Sequence, residues 1–167
     1  MISDDFINNE LIGCSKRIYK SDKKQMFHEN RHTRNNFSVK SHDDKYLFRL
    51  FLRQSCKFIK DFSVGLRWEN ADKYIGVSLP IVLLRCQGPH EGGTPLGADI
   101  HHSFHIHEIT AIDIQERRFS KPSYKDKTDK FSSFQSALFY FVSRCGITNA
   151  HEYTDFEHMS QMSLAEL

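Results

Sequence analysis

Apolar residues recur every three or four positions between residues 131 and 145, at Phe134, Leu138, Phe141, Val142 and Cys145. This spacing sets them along one side of an α-helix. Ser132 and Gln135 fit a capping box at its start, and Gly146 fits a left-handed cap at its end. Near the N-terminus, Phe6, Ile7, Leu11, Cys14 and Ile18 approximate the same stripe and predict a helix over 3–19. Ser3 supplies a hydroxyl cap there, and Asp4 and Asp5 suit the positive end of the helix dipole.

In the middle of the chain the pattern changes to strand-like runs. Residues 46–53, 58–68, 77–85 and 102–109 predict four strands, rich in Phe, Leu, Val and Ile. Gly65 is read as a bulge in the second run. Pro80 removes a ladder donor and places a bulge or an edge in the third. Residues 70–73 predict a turn between them. Residues 87–98 hold four of the eight glycines and two of the four prolines, and are read as a loop. The polar, basic stretches 20–36 and 116–130 carry no period and are also read as loops. From Ala150 the chain is polar, and 151–167 is read as a loosely held tail. The expected fold is α+β: an antiparallel sheet of four to five strands, with an N-terminal helix and a C-terminal amphipathic helix packed on one face. Its 167 residues suit a single domain.

An apolar fraction of 39% with 14 Phe is enough for a packed core and argues against wholesale disorder. Cys14, Cys56, Cys86 and Cys145 form no Cys-x-x-Cys pair, so neither a zinc ribbon nor a disulfide framework is indicated. No run reaches the ~18 apolar residues of a membrane span. The acidic N-terminus also lacks an apolar signal segment. A cytoplasmic location without a membrane partner is therefore expected. The net charge of +2 conceals an asymmetry, because residues 16–60 hold 13 Lys or Arg against four acids, while residues 146–167 hold four acids and no Lys or Arg. That pattern suggests a polyanion-facing region and an acidic tail, or a solvated surface of uneven charge.

Five of the ten histidines, His90, His101, His102, His105 and His107, lie within 18 residues. Strand alternation sends His102 with Phe104 and Ile106 toward the core, and His105 and His107, with His101, to the opposite face. Arg85 and His90, at the end of the preceding strand, fall near the same sheet end. Three readings follow. The histidines cover a half-exposed face. Or two strand histidines and one from a loop hold Zn²⁺. Or they cleave RNA without a metal: one histidine takes the 2′-hydroxyl proton, another protonates the leaving oxygen, and Arg85 clamps the phosphate. His105 is the favoured base or acid, with His107 or His90 as its partner.

Leu84–Arg85, then Gly88–Pro89–His90, then Phe104 to His107, then Cys145 and Ile147 together resemble a group of short bacterial proteins of unknown function with a Gly-Pro-His loop and a His-rich strand. More loosely, the chain is similar to TumE-like toxins of toxin–antitoxin pairs, which carry an Asn/Gly-x-Pro-His and a His-His-x-His element. The likeness spans about residues 36–150. It implies a prokaryotic or phage origin, a ribonuclease-type toxin activity that uses no cofactor, RNA as substrate, and a cognate antitoxin or host protein as partner. The alternative is a non-catalytic binding or inhibitor protein of a phage or mobile element, acting on a host factor through its basic segment and polar tails.

Overall fold

The computed structural model of the chain describes residues 1–90 and 102–158. Eight strands form one antiparallel sheet: β1 (Lys16–Ser21), β2 (Phe27–Glu29), β3 (His32–Ser41), β4 (Leu47–Ser55), β5 (Phe62–Trp68), β6 (Ile81–Gln87), β7 (His105–Glu108) and β8 (Tyr124–Lys127). From β3 onward each strand pairs with the next in sequence. β1 and β2 lie end to end along the outer edge of β3. The side chain of Asn35 bridges their interruption, accepting from the Lys23 N–H and donating to the Lys23 carbonyl and to Ser21 Oγ.

The sheet thus exceeds the four to five strands expected. Residues 20–36 are not a loop, because they complete β1, form β2 and begin β3. They escape the pattern because their side chains are polar until Phe37 and Val39 reach the core. β8 is fully exposed along its length and likewise falls inside the expected loop 116–130.

Among the described residues the helices pack on one face of the sheet and the opposite face is the more polar, which is common for antiparallel sheets. β4 buries Phe48, Leu50 and Leu52 on the covered face and leaves Arg49, Phe51 and Arg53 half-exposed on the other. Helices α1 (Phe6–Ile12) and α4 (Phe134–Arg144) contribute to the covered face, with the Phe134 ring 5.5 Å from that of Phe62. Two short helices, α2 (Asp72–Ile75) and α3 (Ala111–Gln115), sit in connections, so residues 70–73 run into a helix rather than forming only a turn.

Several local expectations shift. Ser3 does cap the N-terminal helix, its Oγ accepting from the Phe6 N–H. That helix spans only seven residues in a wide π winding, and Gly13 bonds back to the Asn8 carbonyl. Ile18, expected on its stripe, belongs to β1. The capping box of α4 is made by Ser133 and Ser136, not by Ser132 and Gln135, while Gly146 has the expected positive φ of 63°. β5 starts at Phe62 rather than at residue 58, β6 at Ile81 after Pro80, and β7 at His105 rather than at residue 102. Gly65 is not a bulge. It lies opposite Phe51, and a Cβ there would overlap the Phe51 ring. The irregularity is in β6, where pairing passes from Leu66↔Leu84 to Arg67↔Val82 and leaves Leu83 as the extra residue. Within the stretch read as a tail, Ala150–Glu152 and Thr154–Phe156 form short helical turns. Phe156 is fully buried, its ring 5.3 Å from Phe37. Asp155 accepts from the Met26 N–H and from Asn35, so part of the acidic end docks on the β2–β3 hairpin. No helix among the described residues is long and apolar enough to cross a membrane.

The core also predicts an alkaline limit. Burial pushes the Cys145 thiol up to about 12, the Tyr140 phenol up to about 12, and the Cys86 thiol well above its ordinary value. The unfolded chain ionises its thiols near 9, so between about pH 9 and 12 it sheds protons that the folded chain keeps, and stability falls as pH rises. Lys16, held below its ordinary value chiefly by burial, acts in the opposite direction. The urea midpoint is expected to drop steadily above about pH 9 and more shallowly in Cys145→Ala. A midpoint flat to pH 11 contradicts the burial of these groups.

Candidate active site

β6 and β7 lie side by side with Arg85 opposite His107 and Gln87 opposite His105. All four project from the face away from the helices, while their neighbours Cys86 and Ile106 point into the core. Strand alternation therefore separates the histidines as expected, with one difference. His102, expected on the core side with Phe104 and Ile106, precedes the strand and is exposed. His101 lies outside the described residues, as does most of the expected Gly/Pro loop.

The other proposed site residues come together. The His105 ring centre is 4.9 Å from that of His107 and 5.3 Å from that of His90. His105 and His107 are buried, while His90 is half-buried. His105 Nδ1 is 2.8 Å from the Ser103 carbonyl oxygen. A carbonyl only accepts, so Nδ1 carries the proton and the lone pair of the neutral ring falls on Nε2. A backbone contact thereby fixes the tautomer and makes Nε2, which is itself buried, the accepting nitrogen of the neutral ring.

The local sequence explains how His90 gets there. Gly88 donates its N–H to the Phe62 carbonyl. A Cβ on Gly88 would overlap the Lys60 carbonyl oxygen, so glycine lets the β4–β5 connection lie directly against the end of β6. Pro89 and His90 follow at the sheet end, beside His105.

Arg85 is stacked 5.5 Å above the Phe51 ring, which itself fills the space over Gly65. The neighbouring arginines on this face have carboxylates: Arg49 pairs with Asp22, Arg53 with Asp61 at 3.3 Å, and Arg67 with Glu69 at 3.2 Å. Arg85 has no ion pair among the described residues, and its buried Nε has no hydrogen-bond partner there. Burial, and after it the positive charges of Arg53 and Arg67, hold its pKa below the ordinary value, yet a guanidinium stays cationic at any working pH. A half-buried cation repelled by two others is a place where an anion is favourable.

The surroundings of this site were not legible in the sequence. A groove of about 970 Å³ opens at the same sheet end, lined among others by His28, Arg31, His32, Lys57, Phe58 and His90. Arg53 Nη1 lies 2.8 Å from His32 Nε2. Because arginine only donates, His32 must accept, so its ring is neutral there. Burial first, then Arg53 and Arg34, lower its pKa. Among the described residues no group of three or more His, Cys, Asp or Glu is disposed to hold a metal ion. No protein-family model, no curated protein and no solved structure matches this chain.

Proposed function

We propose that the chain is a ribonuclease of the toxin type, in keeping with its likeness to TumE-like toxins, and that it cleaves RNA by metal-independent transphosphorylation. The observation that carries this reading is the continuous run of His90, His105 and His107 rings beside an arginine that has no carboxylate partner among the described residues. In the reaction, Nε2 of His105 takes the proton of the 2′-hydroxyl, and O2′ attacks the adjacent phosphorus. His107 or His90 delivers a proton to the departing O5′ as the P–O5′ bond breaks. Arg85 holds the charge that builds on the non-bridging oxygens. The products are a 2′,3′-cyclic phosphate and a 5′-hydroxyl. A cognate antitoxin would act by covering this face.

The test is incubation of the purified chain with unmodified RNA in EDTA, followed by end-group analysis. Cyclic phosphate ends are expected. Arg85→Ala is expected to slow cleavage by about 10²- to 10³-fold, the usual loss when one donor to a developing oxyanion is removed. Absence of cleavage by the wild-type chain overturns the reading, and cleavage that EDTA abolishes turns it toward a metal-dependent reaction. A non-catalytic inhibitor acting on a host protein is the second reading, because Phe58 and Ile59 stand 58% and 70% exposed at a loop tip. It predicts uncut RNA together with a stoichiometric protein complex.

A further inference from the structure

The β4–β5 connection carries the sequence Lys57–Phe58–Ile59–Lys60, with all four side chains exposed. The two apolar residues have no place in the core, and no part of the ribonuclease chemistry above uses them. Lys57 Nζ lies 5.3 Å from the Phe58 ring centre, so cation and aromatic ring form one unit. Lys57, Phe58 and Lys60 line the groove from the β4–β5 connection, His28, Arg31 and His32 line it from the β2–β3 tip, and Pro89, His90 and His102 line it as well. Among the described residues that line it the one acid is Asp61, and it is engaged by Arg53. Arg31, Lys57 and Lys60 therefore face the groove as an excess of positive charge.

Cations spaced along a groove with an exposed aromatic ring between them suit a strand whose phosphates and base faces are both accessible. A duplex hides its base faces in the stack and is read by shape and by its backbone instead. The groove also adjoins the histidine run, because His90 lines it and its ring centre lies 5.3 Å from that of His105. We infer that the groove binds a single-stranded RNA segment adjoining the scissile phosphate, with one base stacked on Phe58 and the flanking phosphates on Lys57, Lys60 and Arg31. As an account of substrate choice, this inference rests on the ribonuclease reading, but binding can be measured apart from cleavage.

A 2′-O-methyl RNA oligonucleotide has no 2′-hydroxyl to attack and serves as an uncleavable probe, used single-stranded and annealed to its complement. The full chain is expected to bind the single strand at least tenfold more tightly than the duplex. Phe58→Ala should weaken it about tenfold, the loss of one stacked base. Lys57→Glu with Lys60→Glu should weaken it further and flatten its salt dependence. Circular dichroism and thermal melting confirm that these loop variants fold. Cys56, the exposed cysteine of the groove wall, locates the probe, since its alkylation should slow when the single strand is bound. Equal affinity for single strand and duplex, full affinity in Phe58→Ala, or unprotected Cys56 overturns the groove assignment. Binding that follows all three expectations, while unmodified RNA stays uncut, supports the groove and overturns the ribonuclease.

Discussion

His105→Asn is expected to reduce RNA cleavage by about 10²- to 10⁴-fold, the usual contribution of general acid–base catalysis, without loss of the fold. Asparagine is the informative replacement because His105 is fully buried. Alanine would leave a cavity and confuse lost chemistry with lost packing. The asparagine amide N–H₂ can still donate to the Ser103 carbonyl, as Nδ1 does now, but it has no group that changes protonation near neutral pH. The measurement is single-turnover cleavage across pH, alongside thermal melting. For the wild-type chain a bell-shaped profile is expected, because one histidine must be neutral and its partner protonated at the same time. The variant should lose the acid limb along with its rate. A variant that folds, cleaves at near wild-type rate and keeps its pH profile would sink the assignment of His105 and leave the strand histidines as covering groups.

The second large effect concerns stability. Lys16 has no exposed surface, and its ammonium donates to the carbonyl oxygens of Ile12 at 2.6 Å, Cys14 at 2.9 Å and Cys145 at 2.9 Å. Ile12 is the last residue of α1 and Cys145 caps the C-terminus of α4. One buried cation thus meets the negative ends of two helices and also lies 4.9 Å from the Phe48 ring centre. Lys16→Met preserves most of the aliphatic stem but leaves three carbonyls, two of them buried, without their donor. Each unsatisfied group costs roughly 1–3 kcal/mol, and breaking a buried charged contact from one side costs about 3–5 kcal/mol. A loss of about 4 kcal/mol is therefore expected, which for a chain of this length corresponds to a fall in melting temperature of about 10 °C. Differential scanning calorimetry on the two chains measures it directly. A change below 1 kcal/mol would mean that the ammonium contributes little beyond its stem.

Lys16 also shows where reading the sequence falls short. In the linear charge count it opens a basic segment suited to a polyanion, yet it is buried between two helix ends on the covered side of the sheet. Charge along a chain does not reveal which side chains the fold will turn inward, because here that depends on a carbonyl 129 positions away, that of Cys145. Phe58 and Ile59 show the converse. As apolar residues before a strand they look like its first turns of alternation, but the strand begins at Phe62 and they remain in solvent. The polar strands β1, β2 and early β3 were hidden for a related reason. At the rim of a sheet, ladder hydrogen bonds and a few anchors such as Ile18, Phe37 and Val39 suffice, and both faces can stay polar.

What the sequence determined by itself is local. The stripe of α4, the cap at Gly146 and the strands built on Leu50, Val64 and Leu84 follow from periodicity, since side-chain direction repeats at 3.6 residues in a helix and at two in a strand. The same period of two placed His105 and His107 on one face, where the structure has them, and the chain order set Arg85 and His90 beside them. Only the tertiary structure decided the rest. Cross-strand register put Arg85 opposite His107, the missing side chain of Gly88 let the β4–β5 connection close on His90, and the packing of three separate segments made the groove that adjoins the histidines.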